Sequence, residues 1–228
     1  MTTEQKIEAI KEAIEKADKF QSKLNEEAIS VPFLGSLKIR ALLNNLGELA
    51  THVCDIGCHK GGSMASMLHG NSNIKSATAI DSWASDELNE DKAYPQFMDN
   101  AMKHKSDGTE LNVIIGDCWG VSLDLIPNKI DLYSYDAGHS LSDQKNALIY
   151  YKDMLADEFI YLCDDWAYGD VKQGTLDGIK EGGYEILFEM ELLNPEGSTE
   201  EDHLNDHWWR SYAVFLLKKK PVKKSKKK

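Results

Sequence analysis

Positions 51–63, Thr-His-Val-Cys-Asp-Ile-Gly-Cys-His-Lys-Gly-Gly-Ser, set an acid, three glycines and a serine where a strand-like run gives way to a helix-like one. Asp55 follows the run His52–Cys54, then come Gly57, Gly61 and Gly62, and Ser63 opens the apolar stretch Met64–Leu68. Glycines just past the carboxyl end of a strand let a ligand approach the backbone, and the helix start beyond them turns free N–H groups toward it. The spacing is not the G-x-G-x-x-G of a dinucleotide-binding turn. A tight turn that binds nothing is the plainer alternative. Cys54, Cys58 and His59 are zinc-ligand types, but no second ligand pair follows at the usual spacing, so a zinc site is excluded.

Carboxylates recur at the ends of the later strand-like runs: Asp81, Asp117, Asp136, and the pair Asp164 and Asp165. In a doubly wound sheet these ends share one rim, and ligands bind there. Asp81 lies 24 residues past Gly57, where an acid can accept hydrogen bonds from both ribose hydroxyls of a nucleoside; capping a helix is its alternative role. Asp136, Asp164 and Asp165 would converge, and like charges raise one another's pKa unless a cation neutralises them. A hard divalent ion such as Mg²⁺, held by carboxylate oxygens, answers that problem. In the alternative, Asp164 or Asp165 caps the next helix and only one faces the rim. His139 has an ordinary pKa close to neutrality and suits a general base, or else packs on or caps the helix after it. Ser140 with Asp143 already forms a capping box at that helix start.

An acid followed by G-x-x-x-G-G-S resembles the first motif of class I S-adenosylmethionine-dependent methyltransferases. Together with Tyr135-Asp136-Ala-Gly-His139-Ser140 and Asp164-Asp165-Trp166, it is similar to the family containing macrocin-type sugar O-methyltransferases and cephalosporin-hydroxylase-like proteins, over residues 35–217. The resemblance implies S-adenosylmethionine on Asp55, Gly57, Gly61, Ser63, Asp81, Asp117 and Asp136, and Mg²⁺ on Asp136, Asp164 and Asp165. In similar methyltransferases the stretch after strand three contacts adenine, so Asp117 would accept from the adenine amino group or cap the next helix. Asp136 and His139 are the catalytic candidates. Many relatives carry D-x-D-H-S where this chain has Asp136-Ala-Gly138-His139-Ser140, so the second acid is missing here.

The elements that must position these residues follow from periodicity. Strands are expected at His52–Asp55, Ser76–Ile80, Leu111–Ile115, Ile130–Tyr135 and Phe159–Cys163. Helices are expected between them at Gly62–His69, Tyr94–His104, Val121–Ile126 and Leu141–Leu155, with another at Asp170–Lys180. Short apolar strands separated by helices predict a parallel sheet covered on both faces. Two late strands, Tyr184–Leu192 and Ser211–Leu217, have no helix between them and should pair antiparallel. The fold class is thus α/β: a Rossmann-like, mostly parallel seven-stranded sheet with a C-terminal antiparallel hairpin, as the resemblance also implies. Ahead of it, Thr2–Asn25 reads as an amphipathic helix with a Thr2/Gln5 capping box, and Gly35–Leu46 as a second helix. These two either cover one end of the site or only pack on the sheet. The expected organisation is a helical cap over 1–47, a cofactor-binding domain over 48–217 and a disordered Lys-rich tail over 218–228.

Composition narrows the function. At 228 residues and 42% hydrophobic, the chain can bury one sizeable core. No apolar run reaches membrane-spanning length, the start is too polar for a signal peptide, and four cysteines without a C-x-x-C pair suit reduced thiols in the cytoplasm. Eight lysines crowd the last eleven residues, so removing them from the formal −12 leaves −20 on the rest. A body this acidic repels phosphate backbones, which argues against nucleic acid as a partner. The expected partner is a small hydroxylated acceptor, with no membrane and with a homo-oligomer left open. Two acidic, aromatic-bearing segments, Trp83–Phe97 and Asn194–Arg210, could form its pocket. The favoured function is Mg²⁺-dependent O-methylation of a small molecule, a sugar included. The same fold with another reaction, and a noncatalytic nucleoside-binding protein, are the alternatives.

Overall fold

In the computed structural model, residues 1–84, 93–127, 129–196 and 207–221 are described. Helices α1 (Thr3–Asp18), α2 (Glu26–Ile29) and α3 (Leu37–Gly47) precede β1 (His52–Ile56). Then follow α4 (Gly62–Leu68), β2 (Ser76–Asp81), α5 (Ala93–His104), β3 (Glu110–Ile115), β4 (Ile130–Tyr135) and α6 (Leu141–Tyr150). The chain continues through β5 (Leu155–Cys163), α7 (Gly169–Glu181), β6 (Tyr184–Leu192) and β7 (Tyr212–Lys219).

The strands form one sheet in the order β3-β2-β1-β4-β5-β7-β6. The pairs among β1 to β5 are parallel, and β7 runs antiparallel between β5 and β6. Because successive side chains of a strand point to opposite faces, the sheet builds two cores. Val53, Ala77 and Leu132 pack with residues of α1, α3, α4 and α5. Cys54, Ile80 and Tyr133 pack with residues of α6 and α7. Winding reverses beside β1, which has β2 on one side and β4 on the other, and this is where a doubly wound sheet opens a ligand crevice.

Several boundaries differ from the sequence reading, each for a local reason. The Thr2/Gln5 capping box is present, but α1 stops at Asp18 instead of reaching Asn25. Phe20 takes a φ of 58°, and the buried side chains of Asn44 and Asn45 bond the backbone at Lys23 and Gln21 instead. The expected helix at Val121–Ile126 is one 3₁₀ turn, Leu123–Leu125, since Tyr150 and Asn112 side chains take the carbonyls of Val121 and Leu125. α6 ends at Tyr150, and β5 starts at Leu155 rather than Phe159, with a register shift inside it, between the partners of Ile130 and Leu132. The acids that disguise the start of β5 are partnered: Glu158 accepts from Thr3 Oγ1 at 2.9 Å and pairs with Lys6 at 3.0 Å. Lys218 and Lys219 belong to β7, and Lys220 N donates to the Gly183 carbonyl, so these three are part of the fold and not of the tail. Residues 222–228 of that tail lie outside the described residues. Among the described residues, no helix is long and apolar enough to cross a membrane.

Candidate active site

β1 carries Asp55 into the core, and the chain then turns sharply. Gly57 has a φ of 90°, and a Cβ here would lie 1.7 Å from the Asp136 carbonyl oxygen, so only glycine lets the ends of β1 and β4 run this close. Gly61, with a φ of 85°, is the N-cap of α4. Asp55 is fully buried; one oxygen accepts from Ser63 Oγ at 2.5 Å and the other has no partner. Burial pushes its carboxyl up to about 7, with the Ser63 bond opposing. Asp55 therefore sits beneath the loop and tethers the start of α4, while Gly57 and Ser63 face the space above.

Asp81, at the end of β2, does two things at once. Its oxygens accept from the main-chain N–H of His59 and of Trp83, each at 2.8 Å, which fixes the far side of the glycine loop. Carboxylate oxygens carry more than one lone pair, so the half-buried group can still accept from a ligand. Trp83 Nε1 closes the arrangement by donating to the His59 carbonyl at 2.7 Å.

A cavity of about 320 Å³ opens over this loop, lined by Gly57–Lys60, Ser63, Asp81, Trp83 and Asp136, with Pro32, Phe33 and Leu34 forming one wall. The segment before β1 thus contributes to the cavity as well as packing on the sheet. Arg40 holds that wall: buried, it donates to the carbonyls of Ala28 and Val31, and its guanidinium lies 4.8 Å from the Phe33 ring centroid. Gly62 lets the wall close, since a Cβ there would lie 2.5 Å from the Pro32 carbonyl oxygen. Beside Asp81, Gly116, Asp117 and Cys118 line a smaller recess. Asp117 is exposed and accepts from Trp119 N at 3.0 Å, so it shapes a turn and caps no helix.

The second half of the rim is acidic. β4 and β5 end side by side, Tyr135 opposite Cys163, and the residues just beyond them meet. One ligating atom each from Asp136, His139 and Asp164 lie within 4.8 Å of one another. Asp164 is buried with one oxygen unpartnered; burial first, then the charges of Asp136 and Asp165, hold its carboxyl well above the usual range. Asp165 stands outside that trio. Its Oδ2 lies 3.6 Å from both His139 Nε2 and Arg210 Nη1, and its Oδ1 has no partner. Burial raises this carboxyl while His139 and Arg210 oppose the rise. His139 Nε2 is 3.5 Å from Asp136 Oδ1, and that contact lifts the imidazole pKa above its ordinary value against the effect of burial.

The helix-cap alternatives are not realised. The N-cap of α7 is Tyr168, with no side-chain cap bond, so neither Asp164 nor Asp165 is spent there. Ser140 caps α6 by accepting from Asp143 N, so His139 does not. Among the described residues, Asp164 and Asp165 each keep a buried oxygen without a partner beside Asp136, and His139 and Arg210 pair only with Asp136 and Asp165, so a cation would find unmet acceptors here. The carboxylate oxygens of Asp136 and Asp164 are donors that suit a hard divalent ion, and a cation on them leaves the neighbouring His139 imidazole free to take a proton.

Beyond the acids, His139, Asp165, Tyr168, Gly169 and Asp170 line an open cleft, with the Arg210 guanidinium 6.0 Å from the Tyr168 ring centroid. Of the two segments expected to form an acceptor pocket, residues 85–92 and 197–206, His203 included, lie outside the described residues. Their described ends are Trp83, edge-on to Tyr94 and tilted against Phe97 with ring centroids 4.9 and 5.0 Å away, and Trp208, which is core. Sequence reasoning missed the Pro32–Leu34 wall and Arg40, although an arginine inside an apolar helix was a visible signal.

No family model and no curated protein matches the chain. Solved structures do. The O-methyltransferase TomG from Streptomyces achromogenes, involved in tomaymycin synthesis and solved with S-adenosylmethionine, matches at a TM-score of 0.52 and 13% identity, over 91% of this chain and 90% of that one. An S-adenosylhomocysteine-bound methyltransferase from Podospora anserina matches at 0.53 and 17%, over 93% and 88%. An O-methyltransferase from Bacillus cereus, solved with S-adenosylhomocysteine, matches at 0.51 and 12%, over 92% and 91%. The chain therefore has the Rossmann-like class I methyltransferase fold. At these identities the likeness is one of fold.

Proposed function

We propose that this protein is an S-adenosylmethionine-dependent O-methyltransferase that uses a divalent cation, Mg²⁺ above all, and acts on a hydroxyl of a small molecule. The observation that carries this reading is the double position of Asp136. It lines the cavity over the glycine loop and also belongs to the Asp136–His139–Asp164 group, so the cofactor space opens directly onto the acids. The fold, shared with structures solved with S-adenosylmethionine or its product, supports the choice of cofactor.

In this reading the glycine loop takes the amino-acid end of the cofactor, Asp81 accepts from its ribose, and the Gly116–Cys118 recess takes the base. The Pro32–Leu34 wall and Trp83 exclude water from the sulfonium. S-adenosylmethionine, when bound, would supply an activated methyl group whose C–S bond breaks as the C–O bond to the acceptor forms, and the cleft beside Tyr168 would admit the acceptor hydroxyl. Alignment of the two reactants supplies most of the acceleration, since the sulfonium methyl is already activated. His139 takes the hydroxyl proton at Nε2, and the carboxylates of Asp136 and Asp165 on either side hold the resulting imidazolium. A divalent cation held by Asp136 and Asp164, with the unpartnered oxygen of Asp165 in reach of the same rim, would supply charge neutralisation and a lower pKa for the acceptor hydroxyl.

Calorimetry with S-adenosylhomocysteine and with Mg²⁺, each alone, tests both halves. Cofactor binding should survive chelator, and Mg²⁺ binding should be lost in Asp136→Asn and Asp164→Asn, because a neutral amide is a poorer ligand for a hard cation. Full Mg²⁺ affinity in both variants would remove the metal site. No binding of S-adenosylhomocysteine to the wild-type chain would remove the methyltransferase reading.

A further inference from the structure

Among its described residues, the stretch between β3 and β4 has one 3₁₀ turn of regular structure, yet it lines the recess beside Asp81. What fixes it comes from α6 and the residue that caps its C-terminus. Tyr150 Oη donates to the Val121 carbonyl at 2.8 Å, and Tyr151 Oη donates to the Cys118 carbonyl at 2.5 Å. Trp119 Nε1 donates to Asp143 Oδ1 at 3.2 Å, with the indole packed against Tyr135, Tyr150 and Tyr151. Asp143 is thus the residue of α6 that hydrogen-bonds the Trp119 side chain, where Tyr150 only packs on it.

Its carboxylate occupies space that Gly138 leaves free. A Cβ on Gly138 would lie 2.4 Å from Asp143 Oδ2. Gly138 is not among the glycines with positive φ, so its backbone suits any residue and the glycine is there for room. Ser140 Oγ donates to the same Oδ2 at 2.6 Å, which leaves Oδ1 for the indole. Gly138 lies between Asp136 and His139, so the loop that carries the acidic rim also makes room for a contact to the other side of the cofactor space.

We propose that Asp143 is a positioning residue for the cofactor: it fixes Trp119, and through it the Gly116–Trp119 turn on which the base of the nucleoside rests. The proposal rests on the cofactor assignment made above. A cycle of variants of the full chain, titrated calorimetrically with S-adenosylhomocysteine, tests it. Asp143→Ala and Trp119→Phe should each weaken binding about five- to tenfold, and the double variant no more than either alone, as expected of two residues acting through one contact. Asp143→Asn keeps an oxygen for the indole N–H and should stay within about twofold of wild type. Gly138→Ala should weaken binding in the wild-type chain by displacing the carboxylate, and have little effect in the Asp143→Ala background, where that carboxylate is gone.

Three results would overturn the proposal. One is wild-type affinity in Asp143→Ala. Another is Asp143→Asn binding as poorly as Asp143→Ala. The third is a fall in melting temperature shared by Asp143→Ala and Ser140→Ala with no change in affinity, which would reduce Asp143 to a helix-capping role. A wild-type chain that binds no S-adenosylhomocysteine would fail at the first titration, which separates loss of the cofactor reading from loss of this one.

Discussion

Asp55→Asn isolates the electrostatic cost of the acid beneath the glycine loop. A carboxyl that ionises near 3.9 in an unfolded chain and at about 7 in the folded one costs about 4 kcal/mol once charged. The folded chain holds this proton more tightly than the unfolded one. Its stabilising effect is therefore whole below the unfolded pKa and is lost as pH rises through 4 to 7, flattening above. About 2.5 kcal/mol of that loss falls between pH 5 and pH 8. Asparagine keeps an oxygen for Ser63 Oγ and cannot ionise. Urea unfolding in the presence of chelator, at both pH values, measures the gap between variant and wild type. Asp164, Asp165 and His139 also titrate, but they are common to both chains and cancel in that gap. The gap should shift in favour of the variant by about 2.5 kcal/mol from pH 5 to pH 8. An unchanged gap would refute the placement of Asp55 as a carboxyl that is protonated in the fold near neutrality.

Asp81→Ala should lower affinity for S-adenosylhomocysteine by about 2–4 kcal/mol, because the loop loses its two 2.8 Å main-chain bonds and the nucleoside loses its acceptor. Wild-type affinity by calorimetry would end the ribose assignment. Gly57→Ala meets both a φ of 90° and a carbonyl oxygen 1.7 Å from the new Cβ, so β1 and β4 must part and stability should fall by about 3 kcal/mol or more. A melting temperature equal to wild type would show that the loop yields more easily than its geometry implies.

What could be read from the chain without coordinates is what local chemistry decides. The glycines at 57 and 61 announce a turn of positive φ, and both adopt it. The apolar runs that become β1, β2, β3 and β4 are short and continuous because both faces of a parallel sheet are covered. The acids after those runs share a rim because parallel strands bring all their carboxyl ends to one side. Other features depend on partners distant in sequence, which no local pattern encodes. The start of β5 looks like a loop until Lys6 and Thr3 of α1 meet Glu158. The helix that begins at Thr3 stops early because Asn44 and Asn45 claim the connecting backbone. At the site, the sequence groups Asp136 with Asp164 and Asp165, whereas the fold gathers Asp136, His139 and Asp164 and directs Asp165 Oδ2 toward His139 and Arg210. Asp165 itself takes a φ of 55°, a backbone conformation that no local sequence signal announced.

The antiparallel insertion of β7 brings a late part of the chain back to the acidic rim. A parallel strand would have begun at the far edge of the sheet; β7 instead begins at the acid side, with Trp166 N and Ala167 N bonded to the carbonyls of Ser211 and Arg210. The glycine-loop cavity and the recess beside Asp81 draw mainly on residues before Trp119, with Asp136 and Ala137 as their link to the rim, while Arg210, just ahead of β7, reaches Asp165 Oδ2. Under the proposed activity, a change at Arg210 would then act on the acid side of the rim, through Asp165, and leave the glycine loop and Asp81 as they are.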